Sequence, residues 1–164
     1  MDSKTITNDE IAEAARKFIA SEASLAELKG ISHDELEAVY SLGFNYYRTG
    51  KYEEAAKLFK FLVLFDHLNA KYWMAIGAVQ QVSKDYEGAV ASYAYASFLD
   101  ISNPKPQYHA AECFLAMGDK VNARSAIDAL EMYSPKDTEL GRTYREKAAA
   151  LKKLAAGEET GEKA

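Results

Sequence analysis

The segment from Leu36 to Asn69, LEAVYSLGFNYYRTGKYEEAAKLFKFLVLFDHLN, decides the fold, because its pattern returns twice at a fixed offset of 34 residues. Five positions of the segment recur in phase. They are Gly43, Gly77 and Ala111; Gly50, Lys84 and Gly118; Ala55, Ala89 and Ala123; Phe59, Tyr93 and Ile127; and Leu62, Ala96 and Leu130. Agreement at so many positions indicates an internal repeat, in which each unit stacks on its neighbours instead of forming one globule.

A period of 34 residues is that of the tetratricopeptide family, which the chain also resembles in its residues. In that family a small residue at the eighth position of each repeat lets helix A approach helix B, and an alanine at the twentieth acts from the other side. Phe59 and Tyr93 fill the space that these small residues leave. The resemblance implies an all-α solenoid of three helix-turn-helix repeats, at 36–69, 70–103 and 104–137.

Capping and turn residues predict where the repeat helices begin and end. Ser32 followed by Glu35 is a capping-box sequence that starts the first repeat helix, and Gly50 breaks the chain between its two helices. Pro104 and Pro106 mark the start of the third repeat, since proline disfavours helix before it and is accepted in a first turn. The predicted helix pairs are 33–48 with 52–65, 70–83 with 86–100, and 107–117 with 121–133.

An N-terminal helix is predicted over 8–30, capped by Asn8 or Asp9 and ended by Gly30. It runs to about Leu28, and its apolar residues share one face at helical spacing. They are Ile11, Ala14, Ala15, Phe18 and Ile19. Because this helix has no repeat partner, its apolar face buries against the array or against another subunit, and the sequence leaves both open.

A C-terminal helix is predicted over 138–156, with Asp137 or Thr138 as its cap. Its apolar residues recur at threes and fours, as Leu140, Tyr144, Ala148, Leu151 and Leu154. This helix is expected to close the last exposed face of the solenoid. Residues 157–164 are expected to be a disordered polar tail, and residues 1–164 to form a single domain.

Composition and charge exclude several functional classes. The formal net charge of −5 argues against a nucleic-acid partner, because phosphate binding needs clustered Lys and Arg. No apolar run approaches the roughly 20 residues of a membrane span, and the N-terminal sequence lacks the apolar core of a signal peptide. These features predict a cytosolic protein. A single cysteine, Cys113, fits a reducing compartment.

Candidate binding residues follow from the tetratricopeptide resemblance, in which the second, fifth, ninth and twelfth positions of each repeat face a concave groove. The first repeat places Glu37, Tyr40, Phe44 and Tyr47 there; the second places Lys71, Met74, Ala78 and Gln81; the third places Lys105, Tyr108, Glu112 and Leu115. Spaced apolar anchors in such a groove suit an extended peptide. A clamp for a terminal carboxylate needs Lys and Asn at the fifth and ninth positions, where this chain has Tyr40 and Phe44.

The first repeat helix carries two apolar faces. Tyr40, Phe44 and Tyr47 form one aromatic stripe at i, i+4 and i+7. A different stripe, Val39, Leu42, Gly43 and Tyr46, occupies the packing positions of the family. The aromatic stripe either packs under the N-terminal helix or faces the groove, and we favour the groove.

The chain also resembles a narrower family, the class II chaperones of bacterial type III secretion, over roughly residues 10 to 150. The resemblance rests on YSLGFNYYRTGKYEEAAKLF, on Asp66-His67, on GAVQQ and SYAYASFLD, and on PKPQYHAAEC. It implies a bacterial cytoplasmic protein whose groove holds an extended segment, containing proline and aliphatic residues, near the N-terminus of hydrophobic pore-forming translocators. Tyr40, Phe44 and Tyr47 would line its aromatic pockets. A generic scaffold for other cytosolic proteins is the alternative.

Nothing in the sequence predicts catalysis or a cofactor. Neither a G-x-x-x-x-G-K-[ST] loop nor a G-x-G-x-x-G motif is present. His109, Glu112 and Cys113 share a helix face with ligand-compatible spacing. We favour a structural role for them, because one helical turn offers no second cluster to complete a metal site and a lone cysteine is usually a small core residue.

A second apolar surface is predicted on the second helix of the first repeat. Phe61, Leu64 and Leu68 fall where the family has polar residues, and Phe61 pairs with Phe65 at i, i+4. Surplus apolar residues suggest a contact outside the repeat core. Either the N-terminal helix covers them or, with Phe18, they form a homodimer face of the client-free chain.

Overall fold

The computed structural model describes residues 24–157, which form eight α-helices and no strand. The helices are α1 (Leu25–Lys29), α2 (His33–Arg48), α3 (Tyr52–Phe65), α4 (Ala70–Val82), α5 (Tyr86–Leu99), α6 (Lys105–Ala116), α7 (Lys120–Tyr133) and α8 (Glu139–Ala156). The predicted all-α class is confirmed. None of these eight helices is long and apolar enough to cross a membrane.

The helices pack in the order of the chain. α2 packs on α3, α4 on α5 and α6 on α7, and contacts of α3 with α4 and of α5 with α6 join each pair to the next. The predicted helix ends agree with the structure within two residues. The largest difference lies in α6, which begins at Lys105 because Pro104 takes the N-cap and Pro106 is accommodated in the first turn.

Close contact between the helices of a pair explains the first series of small residues. A Cβ atom on Gly43 would lie 2.7 Å from Cε1 of Phe59, and one on Gly77 would lie 2.7 Å from Cε1 of Tyr93. Both rings are almost fully buried. The third repeat has Ala111 at the equivalent position, opposite the smaller Ile127, so it achieves the same packing with different volumes.

The turn inside each repeat explains the second series. Gly50, Lys84 and Gly118 have φ angles of 78°, 63° and 77°. A left-handed backbone residue therefore ends the first helix of every repeat, and glycine meets this requirement without steric cost. Lys84 meets it despite its side chain.

The prediction that one continuous helix runs from residue 8 to about Leu28 is wrong at Ser24. Ser24 has an extended backbone and caps α1, with its hydroxyl accepting from the Glu27 amide and the Glu27 carboxylate accepting from the Ser24 amide. This capping box starts a separate short helix. Gly30 ends that helix in the left-handed conformation, as predicted. Phe18 and the rest of residues 1–23 lie outside the described part of the chain, as do residues 158–164 of the predicted tail.

Helix α8 packs on both α6 and α7. Tyr144, Ala148 and Leu151 are buried in this contact, so the helix covers the end of the third repeat. Arg145 fixes its first half, because the guanidinium donates to the backbone carbonyls of Ser134 (3.5 Å), Pro135 (3.0 Å) and Lys136 (2.8 Å). Thr138 is the N-cap, one of the two residues predicted for it.

Large apolar side chains remain exposed outside the repeat core. The prediction that Leu42 packs in the core is wrong, since it is 46% exposed. It precedes the buried Gly43 by one residue and therefore points about 100° around the helix. Phe61 and Leu64 on α3 and Leu68 just after it are exposed, and the Phe61 ring packs against that of Phe65 at 4.3 Å.

Candidate functional site

A cavity of about 380 Å³ lies between α2, α4 and the start of α6. We call it the apolar compartment. Its lining residues are Tyr40, Phe44, Tyr47, Phe59, Ala70, Lys71, Met74, Ala75, Ala78, Asp100, Asn103 and Lys105. The aromatic stripe of the first repeat thus faces Met74 and Ala78 of the second.

The aromatic stripe is anchored at its ends and open at its centre. The Tyr40 and Phe44 rings stack with centroids 6.2 Å apart, and those of Phe44 and Tyr47 lie 6.5 Å apart. Tyr40 also packs on the buried Phe59 at 5.8 Å. Phe44, by contrast, is 45% exposed. The stripe therefore offers a large apolar surface that the described part of the chain holds in place without covering it.

Lys71 gives the compartment a charged rim. Its ammonium group lies 3.8 Å from the centroid of the Tyr40 ring and 2.6 Å from Oε2 of Glu37. The hydrogen bond from Lys71 lowers the pKa of Glu37. Glu37 does not line the cavity, although it was predicted in the groove. It positions Lys71 over the aromatic stripe.

A second cavity, of about 620 Å³, continues the groove towards α6. We call it the polar compartment. It is lined by Tyr47, Ala78, Gln81, Val82, Lys84, Tyr86, Tyr93, His109, Glu112 and Ala116. Tyr47 and Ala78 line both cavities, so the two compartments form one continuous groove.

A chain of polar side chains forms the floor of the polar compartment. The Tyr93 hydroxyl donates to Oε1 of Gln81 at 2.7 Å, and Nε2 of Gln81 donates to Oε2 of Glu112 at 3.2 Å. The same carboxylate oxygen lies 2.9 Å from Nδ1 of His109. Because a carboxylate only accepts, Nδ1 carries the proton. The His109 ring also stacks on Tyr93, with centroids 5.4 Å apart.

These contacts keep Glu112 ionised. Burial of the carboxyl group acts to raise its pKa, but hydrogen bonds from His109, Tyr108 and Gln81 outweigh burial and lower it. The floor of this compartment therefore holds a fixed negative charge at neutral pH.

Two further predicted groove residues line neither compartment. Leu115 packs against the core cluster of the third repeat and α8. The other is Tyr108. Its ring packs edge-on against Tyr144 of α8 at 5.4 Å, and burial raises its pKa to about 12. Cys113 is fully buried beside Ala89 and Tyr93 in the core, and burial raises its pKa to about 11. It is therefore a protonated core thiol, separated in environment from the half-exposed His109 and Glu112.

The sequence did not predict several groove residues. Asp100 and Asn103 line the apolar compartment from the loop between α5 and α6, and no periodic position singled them out. Tyr93 was assigned to the core alone, although its hydroxyl reaches the groove floor. His109 was given a structural role. Its i, i+3 spacing from Glu112 was the available signal for this pair.

Three consecutive helical pairs with a groove along their first helices define a tetratricopeptide-repeat protein. The tetratricopeptide repeat model matches residues 36–69 and 70–103, the ranges predicted for the first two repeats. Low calcium response locus protein H of Yersinia pestis is 38% identical over 127 residues, which cover 77% of this chain and 76% of that protein. The chain belongs to the family of type III secretion translocator chaperones, as the sequence resemblance predicted.

Solved structures agree in fold and in family. A T3SS complex from Aeromonas hydrophila superposes with a TM-score of 0.82 at 31% identity, covering 90% of this chain and 99% of that chain. The Yersinia enterocolitica chaperone SycD in complex with a peptide of the translocator YopD gives a TM-score of 0.70 at 34% identity, covering 79% and 98%. SycD has also been solved as an alternative dimer.

Proposed function

We propose that this protein is a bacterial cytoplasmic chaperone that holds an extended segment near the N-terminus of a type III translocator in its groove. The observation that carries the proposal is the apolar compartment, where the exposed ring of Phe44 faces Met74 across about 380 Å³ of open space. The SycD complex with a YopD peptide supports it, because that relative shares the fold.

Binding in this groove needs no chemistry. Aliphatic and proline side chains of the client would bury against the aromatic stripe, which removes apolar surface from water on both partners. The stripe is held by Phe59 and Lys71 before a client arrives, so little ordering is needed on the chaperone side. Masking one anchor of a membrane-inserting client keeps it dissolved and unassembled until export.

The test is a fluorescence-anisotropy titration of a labelled peptide from the N-terminal region of a translocator. Wild type is expected to bind in the micromolar range, about −8 kcal/mol. The Phe44→Ala, Tyr47→Ala double variant should lose most of that affinity while remaining helical. Phe98→Ala is the matched control, because Phe98 is 80% exposed and lies outside both compartments. Equal binding by the double variant would remove the groove assignment and leave a generic scaffold.

We infer that the client-free chain forms a homodimer through the apolar patch Phe61, Leu64, Phe65 and Leu68 on and after α3, joined by Phe18. The exposure of three of these side chains supports a contact outside the repeat core. Sedimentation of Phe61→Glu and Phe65→Glu variants tests it. Both should sediment as monomers with unchanged helicity. An unchanged mass with intact helicity would remove this patch as the dimer face.

A further inference from the structure

The polar compartment holds a negative charge that the described chain does not neutralise with a lysine or arginine. Within residues 24–157, the only ion-pair partner of Glu112 is the His109 ring. Lys84 lines the same cavity but forms no ion pair with Glu112. The other donors to the carboxylate are the Gln81 amide and the Tyr108 hydroxyl, both neutral. These groups orient Glu112 without cancelling its charge.

The carboxylate is accessible from the groove. The Glu112 side chain is 31% exposed and lines a cavity of about 620 Å³. An ionised carboxylate offers about four acceptor positions, so three donors leave room for one more. Tyr47 and Tyr86 also line this space, and a cation is attracted to the faces of aromatic rings.

We propose that the polar compartment is a subsite for a Lys or Arg side chain of the bound client segment, with Glu112 as its counter-ion. The inference rests on the proposed function, because the same extended segment must pass Tyr47 and Ala78, which line both compartments. The apolar compartment supplies affinity through burial. The polar compartment selects, among apolar segments, those with a cation at the correct spacing.

Helix geometry fixes that spacing. Met74 in the apolar compartment and Gln81 in the polar compartment are both on α4, seven residues apart. At 1.5 Å per residue this separation is about 10 Å. An extended peptide covers it in about three residues. The cation is therefore expected about three residues from the apolar anchor that sits against Met74 and Phe44.

The test uses the labelled translocator peptide of the titration above and places Lys, Met or Glu three residues before or after its main apolar anchor. Alanine scanning against wild type identifies that anchor. At one of the two positions, Lys should bind about tenfold more tightly than Glu, with Met between them. The preference should weaken at high salt.

Variants of the protein identify the counter-ion. Glu112→Gln should abolish the preference for Lys over Glu, with the affinity of each peptide taken relative to that of the Met peptide for the same variant. Glu146 is exposed on α8 and lies outside both compartments. Glu146→Gln makes the same change in net charge and should keep the preference.

Each other outcome overturns a defined part of the proposal. Equal binding of the Lys, Met and Glu peptides to wild type would remove the subsite and leave the chaperone function standing. A preference that survives Glu112→Gln would remove Glu112 as the counter-ion. Failure of every peptide to bind wild type would overturn both the proposed function and the subsite.

Discussion

The hydroxyl of Tyr93, in the core of the second repeat, donates a 2.7 Å hydrogen bond to the side chain of Gln81 in the groove floor. Tyr93→Phe keeps the ring that packs against Gly77 and removes only this bond. The variant is expected to be less stable by about 1 kcal/mol. Tyr95→Phe is the matched control on the same helix, because the Tyr95 hydroxyl has no hydrogen bond to another described residue. Urea unfolding of both variants checks the prediction, and equal losses would contradict it.

A second prediction concerns the contact of Gly43 with Phe59. Gly43→Ala places a methyl group 2.7 Å from the buried ring, so we expect a loss of about 1 to 3 kcal/mol. Phe59→Ile alone should also destabilise, because it leaves a cavity. The third repeat uses Ala111 and Ile127 at these two positions, so the double variant should be more stable than the sum of the single losses implies. Simple additivity in urea unfolding would show that the two sites are not coupled.

Arg145 gives a third prediction. Its guanidinium donates to three backbone carbonyls between α7 and α8, and no shorter side chain can replace that arrangement. Arg145→Ala should cost about 1 to 3 kcal/mol. Arg142→Ala is the control, because Arg142 is exposed on the same helix and its side chain has no hydrogen bond or ion pair with another described residue. Thermal unfolding should separate the two variants, and similar melting temperatures would argue against the role given to Arg145.

The charge of Glu112 predicts a dependence on pH. The pKa of Glu112 in the folded chain lies below its ordinary value of 4.5, so the unfolded chain binds more protons between the two values. The stabilisation from ionised Glu112 is therefore complete above about pH 5 and is lost as the pH falls through the folded pKa. The difference in unfolding free energy between wild type and Glu112→Gln should therefore shrink as the pH falls below about 4. A constant difference down to pH 3 would contradict this assignment.

The repeat and its helix boundaries could be predicted because their causes are local. Small residues, left-handed turn residues and caps recur at a period of 34, and each acts on neighbours within one hairpin. The start of α1 at Ser24 could also have been predicted. Ser24 and Glu27 have the same capping-box spacing as Ser32 and Glu35. The apolar periodicity of the preceding residues nevertheless favoured one helix continuing past Ser24.

The apolar compartment was predictable from repeat positions, whereas the polar compartment was not. Its floor depends on contacts between side chains of three different helices, such as Tyr93 with Gln81 and Gln81 with Glu112. Periodicity assigned Tyr93 to the core and could not show that its hydroxyl extends beyond it. Tyr108 occupies a groove position of the repeat pattern. At this end of the array, however, α8 stands where a fourth repeat would, and Tyr144 of α8 packs against the Tyr108 ring.

The position of α8 also sets how much of a client this protein can hold. Within residues 24–157, α8 covers α6 and α7, and the groove runs from α2 to α6, two helix spacings or about 20 Å. About six residues of an extended chain fill that length. We therefore expect recognition to depend on one short segment of the client and not on the size of the protein that carries it.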